Sequence, residues 1–258
     1  MKWFSVWGSL MLLVFLFSMT GVHAADDIQN TNTSEKCTPV RVLIVTGVEY
    51  PGHPWKEIAP RLRVLLDADE RLEVRVVEDP EVLGTDLIDD YQVLVIHFKN
   101  YDPLRREETA QRNLVKFVES GGGLMYYHFA CGAFQEWKDF EKIAGRVWNP
   151  QLRGHDPFGE FQVRVADPEH SIMNDVHDFM ITDELYTCLD GTTPIHVIAE
   201  AKSVVDEKMY PIAFVLECGE GRIFHSVLGH DLRALDAEEH VKMLRNAATW
   251  CGHAERKP

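Results

Sequence analysis

The feature that most constrains the fold is a repeated alternation of short apolar runs with amphipathic helical segments. Val40–Thr46, Tyr91–His97 and Leu124–His128 are nearly continuous apolar runs of strand length, which is typical of strands buried on both faces. Between them, His53–Leu66 and Glu107–Glu119 carry apolar residues at helical spacing. Buried strands that alternate with helices predict a parallel sheet with helices on both of its faces.

The second half of the chain has more strand signals and fewer helical ones. No linker or repeat separates the halves, so one domain is predicted over residues 39–252, preceded by a flexible polar leader at 25–38 and followed by a tail at 253–258. The predicted fold class is α/β, a three-layer sandwich with a mostly parallel central sheet and a β-rich C-terminal half. The elements predicted in that half are Glu160–Val165, Pro194–Ala199, Tyr210–Glu217, Arg222–Val227 and a closing helix at Ala237–Trp250.

Residues 1–24 have the outline of a secretory signal peptide. Lys2 precedes a short apolar run at Leu10–Phe17, and Val22 and Ala24 occupy the −3 and −1 places of a cleavage site. The run is short for a membrane span, and an uncleaved N-terminal anchor is the alternative. The mature protein is therefore expected to be exported, to the periplasm or to the extracellular space.

The charge balance narrows the class of partner. The chain has 26 Lys and Arg residues against 41 Asp and Glu residues, a formal net charge of −15. An acidic surface repels phosphate backbones and anionic lipids, so no nucleic-acid partner is expected. The expected partner is a neutral small molecule. The five cysteines leave at least one thiol unpaired, and for each of them a buried thiol is favoured over a disulfide.

Histidines are concentrated near the predicted strand ends. His53, His97, His128, His155 and His230 lie at such ends or in loops. A single histidine is more often a structural or solvated residue than a ligand. In open α/β sheets, however, ligands bind outside the carboxyl ends of the strands. A cluster of imidazoles there suits proton transfer near neutral pH or the binding of a divalent metal.

Two adjacent carboxylates, Asp183 and Glu184, follow a short apolar run and precede Leu185 and Tyr186. On a strand, neighbouring side chains point to opposite faces, so only one of the two carboxylates can enter a given pocket. The alternative for either is a solvated surface charge. Histidine together with a carboxylate supports acid–base catalysis, metal-assisted chemistry or the binding of a sugar.

Residues 123–132 have the layout of a nucleophile elbow, in which a strand turns sharply into a helix. The residue at the elbow is His128, and Cys131 falls in the predicted first helical turn, where the helix dipole is expected to lower its pKa. A thiol nucleophile at Cys131 is therefore one hypothesis. A phosphate-binding loop is not predicted, because the glycines at 121–123 precede a strand and do not open a helix.

The chain contains an ordered series of motifs: Gly121-Gly122-Gly123-Leu124, Tyr127-His128-Phe129-Ala130-Cys131, Trp137–Phe140, Asp183-Glu184-Leu185-Tyr186, Pro211-Ile212-Ala213, Gly221-Arg222-Ile223-Phe224 and Leu228-Gly229-His230. This series resembles the ThuA-like (trehalose utilisation) family, of the class I glutamine amidotransferase-like superfamily. The resemblance implies a flavodoxin-like sandwich and a role in carbohydrate metabolism. It also implies sugars or 3-keto-sugars as substrates and a functional link to a sugar dehydrogenase.

The resemblance also implies roles for individual residues. His128 falls where an amidotransferase carries its cysteine and His230 falls near the amidotransferase histidine, so glutaminase activity is not expected. Glu184 matches the carboxylate of the family's Asp-Glu-Leu-Tyr motif, and His53 matches an early Gly-His. His155 departs from the family pattern, in which a histidine more often directly precedes proline, and its role is left open.

The leading hypothesis is an exported enzyme, a lyase, isomerase or hydrolase, that acts on a sugar or 3-keto-sugar by His/Glu acid–base chemistry. The predicted catalytic residues are His128, Glu184 and His230. The predicted substrate-binding residues are His53, His97, Tyr186 and Asp231. The candidate ligands of a divalent metal ion are His53, His128, Glu184 and His230.

Two other functions are carried as alternatives. In a non-catalytic carbohydrate-binding protein, Trp55, Trp137, Trp148 and Tyr186 would stack on sugar faces while the histidines bind hydroxyl groups. In a thiol hydrolase, Cys131 would be the nucleophile. Turnover of a keto-sugar separates catalysis from binding alone, and alkylation tests the thiol.

Overall fold

The computed structural model describes residues 38–254. The predicted signal peptide, residues 25–37 of the predicted leader and residues 255–258 of the predicted tail lie outside the described residues. Within them, the chain forms a nine-stranded sheet and four α-helices. The strands are β1 Val40–Val45, β2 Leu72–Val77, β3 Val93–Ile96, β4 Gly123–Tyr127, β5 Gly159–Val165, β6 Phe179–Asp183, β7 His196–Lys202, β8 Met209–Cys218 and β9 Gly221–Ser226. The helices are α1 Trp55–Asp67, α2 Glu107–Glu119, α3 Phe140–Ala144 and α4 Glu238–Cys251.

The sheet is mixed, with a parallel part and an antiparallel part. Its strand order is β2-β1-β3-β4-β9-β8-β7-β5-β6. The four pairs from β2 to β9 are parallel, and the four pairs from β9 to β6 are antiparallel. The predicted α/β class is correct, but the prediction of a mostly parallel sheet is wrong.

The change of strand direction follows from the connections. Between the first strands, the chain passes through helical segments that return it to the same end of the sheet. Between β8 and β9 there are only Gly219 and Glu220. Gly219 has a φ of 61°, in the left-handed region that tight hairpin turns use. A two-residue hairpin joins only antiparallel neighbours, and the apolar pattern of each strand does not reveal that pairing.

Helices cover both faces of the sheet. Along β1, Val42 and Ile44 belong to one apolar core, and Leu43 and Val45 belong to the other. Side chains of α1 and α4 complete the first core, and side chains of α2 and α3 complete the second. None of the helices within residues 38–254 is both long and apolar enough to cross a membrane.

The first helix begins at Trp55, two residues later than predicted. Pro54 disfavours the helical conformation for the residue before it, so His53 is excluded from α1. The helix then buries Trp55, Ile58 and Leu62 at the predicted spacing. His53 is consequently held in the loop between β1 and α1, at the carboxyl edge of the sheet.

Candidate functional site

Four side chains from different loops meet at one edge of the sheet. His53 follows β1, His128 follows β4, Glu184 follows β6 and His230 follows β9, and one ligand atom of each lies within 4.8 Å of the others. Strands β1, β4 and β9 run in the same direction, so their carboxyl ends share an edge. Strand β6 is four antiparallel pairs away from β9 and therefore also ends at that edge.

The imidazoles of His53 and His128 face each other with their Nε2 atoms 3.2 Å apart. Nδ1 of His53 lies 3.0 Å from the carbonyl oxygen of Pro51, and Nδ1 of His128 lies 2.7 Å from that of Val227. A carbonyl oxygen only accepts hydrogen bonds, so each Nδ1 carries the proton that it donates. In the neutral rings, each Nε2 is therefore an unprotonated lone pair.

Burial keeps these two rings neutral. The side chain of His128 is fully buried, and burial together with the neighbouring His53 lowers its pKa well below the usual value. Burial also lowers the pKa of His53, and the nearby His230 lowers it further. A neutral imidazole with a free lone pair is the form that binds divalent metals.

The backbone at His128 forms the turn that the sequence predicts. Its φ of 50° lies in the left-handed region, where residues other than glycine are uncommon. The chain continues from there as a short 3-10 turn at His128–Gly132, where the sequence predicted the start of a helix. Unfavourable backbone conformations of this kind cluster at functional sites, and here the turn brings the imidazole next to His53.

The carboxylate of Glu184 contacts three histidines. Its Oε2 lies 3.2 Å from Nδ1 of His230 and 3.8 Å from Nε2 of His128, and its Oε1 lies 3.8 Å from Nδ1 of His155. The carboxylate raises the pKa of His230. Burial favours a higher pKa for Glu184, but His230 and His155 outweigh burial and lower the pKa. Nδ1 of His230 is close to Oε2 without the alignment of a hydrogen bond.

Asp183 has a structural role, unlike its neighbour Glu184. It is fully buried, and its carboxylate accepts hydrogen bonds from the backbone N–H groups of Gly229 at 2.7 Å, His230 at 3.0 Å and Glu184 at 2.8 Å. Burial raises its pKa to about 7, and these N–H groups act in the opposite direction. The alternative of a solvated surface charge is wrong for Asp183, which instead holds the loop that carries His230.

A cavity of about 260 Å³ opens beside the four groups. Its walls include the rings of Tyr50, Trp148 and Tyr186, together with His155. The ring of Tyr186 lies 4.5 Å from that of His128. The cavity therefore combines polar groups with aromatic faces, which is the composition typical of small-molecule sites.

The sequence and fold of this chain have known relatives. The ThuA family model, which is described as trehalose utilisation, matches residues 41–251. The chain belongs to the ThuA family. This match confirms the resemblance that the motifs indicate, and it places the chain in the glutamine amidotransferase-like superfamily.

Solved structures share the ThuA fold at low sequence identity. A ThuA-like protein of Parabacteroides merdae ATCC 43184 has a TM-score of 0.74 and 22% identity, covering 86% of this chain and 92% of that chain. A ThuA-like protein of Bacteroides uniformis ATCC 8492 has a TM-score of 0.67 and 18% identity, and the match covers 84% of this chain and 92% of that chain. A cytoplasmic protein of Salmonella typhimurium LT2 has a TM-score of 0.63 and 13% identity, and the match covers 82% of this chain and 99% of that chain. A search of curated proteins gives no significant match.

Among the predicted substrate-binding residues of this ThuA protein, His53 and Tyr186 line the cavity and two others do not. His97 is fully buried, with its ring 5.3 Å from those of Tyr127 and Phe129, and burial lowers its pKa to about 3. Asp231 accepts a hydrogen bond from the backbone N–H of Arg233 and pairs with its guanidinium. The sequence pattern predicted the position of His97 at a strand end but not its complete burial.

Cys131 differs from its predicted state. The predicted helix dipole would lower its pKa, whereas burial raises the pKa to about 12, with Lys99 acting in the opposite direction. The physical reason is that Cys131 lies in a buried 3-10 turn. Among the described cysteines, Cys131, Cys188 and Cys218 are free thiols; Cys131 and Cys251 are buried, and Cys188 and Cys218 are partly buried.

Sequence reasoning missed Lys99 and Tyr50, both of which line the cavity. Tyr50 precedes His53 in the same loop, and Lys99 lies three residues beyond the end of β3. The available signal was their place after buried parallel strands, since ligands bind outside the carboxyl ends of such strands.

Proposed function

We propose that this ThuA-family protein binds a divalent metal ion through His53, His128, Glu184 and His230 and performs acid–base chemistry on a sugar or 3-keto-sugar. The observation that carries the proposal is the pair of facing Nε2 atoms, 3.2 Å apart. Two unprotonated lone pairs at this distance repel each other, and a cation bound by both removes the repulsion. Neither ring can relieve the repulsion by moving its proton, because each Nδ1 is engaged by a backbone carbonyl.

The donor atoms suit a first-row divalent metal. Imidazole nitrogens with a carboxylate oxygen are ligands of Zn²⁺ and related ions. Ligand bonds of about 2.0–2.2 Å place neighbouring donor atoms roughly 3.0–3.5 Å apart. The separations between His53 and His128 and between Glu184 and His230, both 3.2 Å, fall in this range. The 3.8 Å between His128 and Glu184 is slightly longer.

Glu184 is the base in this proposal. Its Oε2 faces His128 and His230 and its Oε1 faces His155, so one carboxylate reaches both the cation site and the cavity. It would accept a proton from the carbon beside a substrate carbonyl. His155 donates through Nδ1 to the carbonyl oxygen of Asp156 at 2.7 Å, so it borders the Glu184 carboxylate without accepting its proton. A bound metal would polarise a substrate oxygen.

A carbohydrate substrate is supported by the family and by the cavity. The family is described as trehalose utilisation. A cavity of about 260 Å³ has room for a small ligand such as one sugar ring, and Trp148 and Tyr186 offer it aromatic faces. A 3-keto-sugar arises when a sugar hydroxyl is oxidised, so a sugar dehydrogenase would supply the substrate.

Metal analysis tests the site. Protein stripped with EDTA and reloaded with Zn²⁺ or Mn²⁺ should bind the ion stoichiometrically, and His53→Ala and His128→Ala should lose it. His196→Ala is the matched control, because His196 is exposed and pairs with Asp167 away from the site. Absence of binding by the wild type, or full binding by both variants, would contradict the metal site.

Exchange of hydrogen for deuterium tests the reaction. In D2O, the metal-loaded protein should introduce deuterium beside the carbonyl of 3-keto-glucose or a 3-keto-disaccharide, because Glu184 removes that proton. NMR measures the exchange and any product that follows. Binding without exchange or turnover would favour the non-catalytic carbohydrate-binding alternative.

Export is also proposed, on the pattern of residues 1–24 alone. The mature chain should begin at Ala25, and the intact mass of protein recovered from the periplasm or the medium measures this. A chain that retains Met1 in the membrane fraction would show an uncleaved anchor instead.

A further inference from the structure

Lys99 is a buried lysine in the wall of the cavity. Only 5% of the surface of Lys99 is exposed to solvent. Its Nζ lies 4.8 Å from the ring centroid of Tyr50 and 4.8 Å from that of Trp148. Within residues 38–254, no carboxylate forms an ion pair with it. Buried lysines are almost always paired, so this ammonium is held by aromatic faces instead of by a counter-charge.

The backbone around Lys99 is fixed, and the neighbouring residues leave space for its side chain. The segment from 97 to 100 is buried throughout, and the side chain of Asn100 fixes it by accepting from the N–H of Phe134 at 3.0 Å and donating to the carbonyl of Asp102 at 2.9 Å. Gly132 leaves room for the Lys99 stem, since a Cβ there would lie 2.7 Å from Cδ and 2.8 Å from Cε.

The charges around the cavity call for a negative ligand atom. Glu184 is the only carboxylate among the lining residues, which also include Lys99 and three histidines. Burial lowers the pKa of Lys99, and the Lys99 charge adds to the lowering of the pKa of His53. The whole chain carries a formal charge of −15, so a lysine without a carboxylate partner in the cavity is a local feature. Such a cavity favours an oxygen that carries negative charge.

We propose that Lys99 donates a hydrogen bond to the ligand oxygen that becomes negative during the reaction, a step that rests on the proposed function. When Glu184 accepts the proton, the C–H electron pair forms a C=C bond and the carbonyl π pair moves onto oxygen. Lys99 keeps its own proton and stabilises this enolate oxygen. The contacts with the two rings use the charge of the ammonium and leave N–H donors for the ligand.

Substitution of Lys99 should therefore act on kcat more than on KM, because the negative charge exists only after the proton has left. We expect Lys99→Met to lower kcat by about 10²–10³-fold, as for other donors to a developing oxyanion. Lys99→Arg, which keeps the charge, should recover part of the loss. Gly132→Ala should lower kcat in the same direction, because it displaces the stem without removing the amine. Metal content should stay at the wild-type level in all three.

A probe that becomes anionic when it binds a metal ion tests the site without turnover. The metal-loaded protein should bind gluconohydroxamate at least about tenfold more weakly after Lys99→Met, while its affinity for neutral D-glucitol stays the same. Lys138→Met is the matched control, because Lys138 is exposed. Circular dichroism and thermal unfolding establish that each variant folds.

Equal hydroxamate affinities in the wild type and Lys99→Met would overturn the proposal, as would a rise in KM with kcat unchanged. If the wild type exchanges no proton of a keto-sugar but shows the Lys99-dependent preference for hydroxamate, the proposed reaction fails and the anion-binding role of Lys99 stands.

Discussion

At the scale of single residues, the chemistry of the site depends on which polar side-chain atoms already form hydrogen bonds with the backbone. Nδ1 of both His53 and His128 is engaged by a backbone carbonyl, so only Nε2 remains for a ligand. Both oxygens of Asp183 are engaged by backbone N–H groups. The oxygens of Glu184 face histidine side chains instead. Two adjacent carboxylates thus have different chemical capacities.

Replacing these two carboxylates should give different results. Glu184→Gln should lower keto-sugar turnover by at least about 10²-fold, because the amide keeps the shape but cannot accept the proton. It should also weaken metal binding, since a neutral amide oxygen is a poorer ligand. Steady-state kinetics and calorimetric metal titration measure both effects.

Asp183→Asn is the neighbouring control for that prediction. Its amide nitrogen would face backbone N–H groups, so we expect a loss of about 1–3 kcal/mol in the free energy of unfolding, with a smaller catalytic effect than at Glu184. Equal catalytic losses at the two positions would mean that the carboxylates share one role. No loss at Glu184 would remove it from the mechanism.

The thiol of Cys131 should be dispensable for activity. Burial raises its pKa to about 12, so the thiolate is scarce at neutral pH. We expect Cys131→Ser to retain keto-sugar turnover and native Cys131 to react slowly with iodoacetamide, as followed by peptide mass spectrometry. The native protein should not hydrolyse glutamine. Rapid alkylation with loss of turnover would revive the thiol-hydrolase hypothesis.

At the scale of elements, the loops after β4 and β9 position the site together. Gly229 has a φ of 128°, and a Cβ there would lie 2.2 Å from the ring of Tyr127, the last residue of β4. The same loop is held by Asp183 through the N–H groups of Gly229 and His230. The position of His230 thus depends on three strands.

Gly229→Ala should therefore disturb both folding and metal binding. Backbone strain alone costs about 1–3 kcal/mol, and the contact with Tyr127 adds to it. We expect a lower free energy of unfolding in urea and a weaker metal affinity. Gly159→Ala is the matched control, because its nearest neighbour would be 3.8 Å away. A destabilised variant with unchanged metal affinity would show that His230 does not depend on this loop geometry.

At the scale of the whole molecule, buried histidines outside the four-residue site link stability to pH. Burial lowers the pKa of His225 and of His240 to about 4, although backbone carbonyl oxygens act in the opposite direction. In the unfolded chain the pKa of histidine is about 6.5. Below that value the unfolded state binds protons that the folded state does not. The contribution of these two histidines to stability is complete above about pH 6.5 and falls as the pH drops toward 4.

The predicted pH dependence can be measured by urea unfolding between pH 7.5 and 5. Each of these two groups should cost about 1.4 kcal/mol per pH unit within the window. His240→Gln should reduce the slope by about one proton, whatever its effect at pH 7.5. His177→Gln, at an exposed position, should leave the slope unchanged. Identical slopes for the wild type and His240→Gln would contradict the assignment.

Local patterns in the sequence determined much of this protein. The apolar runs at β1, β3 and β4, the helical spacing in α1 and α2 and the turn at His128 all follow from interactions within a few residues. The motif series indicated the ThuA family, and with it the four residues that the structure brings together. These features are readable from sequence because backbone propensity and side-chain period act locally.

The tertiary structure decided what depends on residues far apart in the chain. The tautomer of His128 is set by a carbonyl 99 positions away, and its facing partner His53 is 75 positions away. Strand direction in β5 to β9 follows from antiparallel pairing, which the apolar pattern does not encode. The burial of Lys99 between Tyr50 and Trp148 arises because three separate loops converge at one edge of the sheet. Burial and hydrogen-bond use are properties of the folded neighbourhood, so no local pattern reveals them.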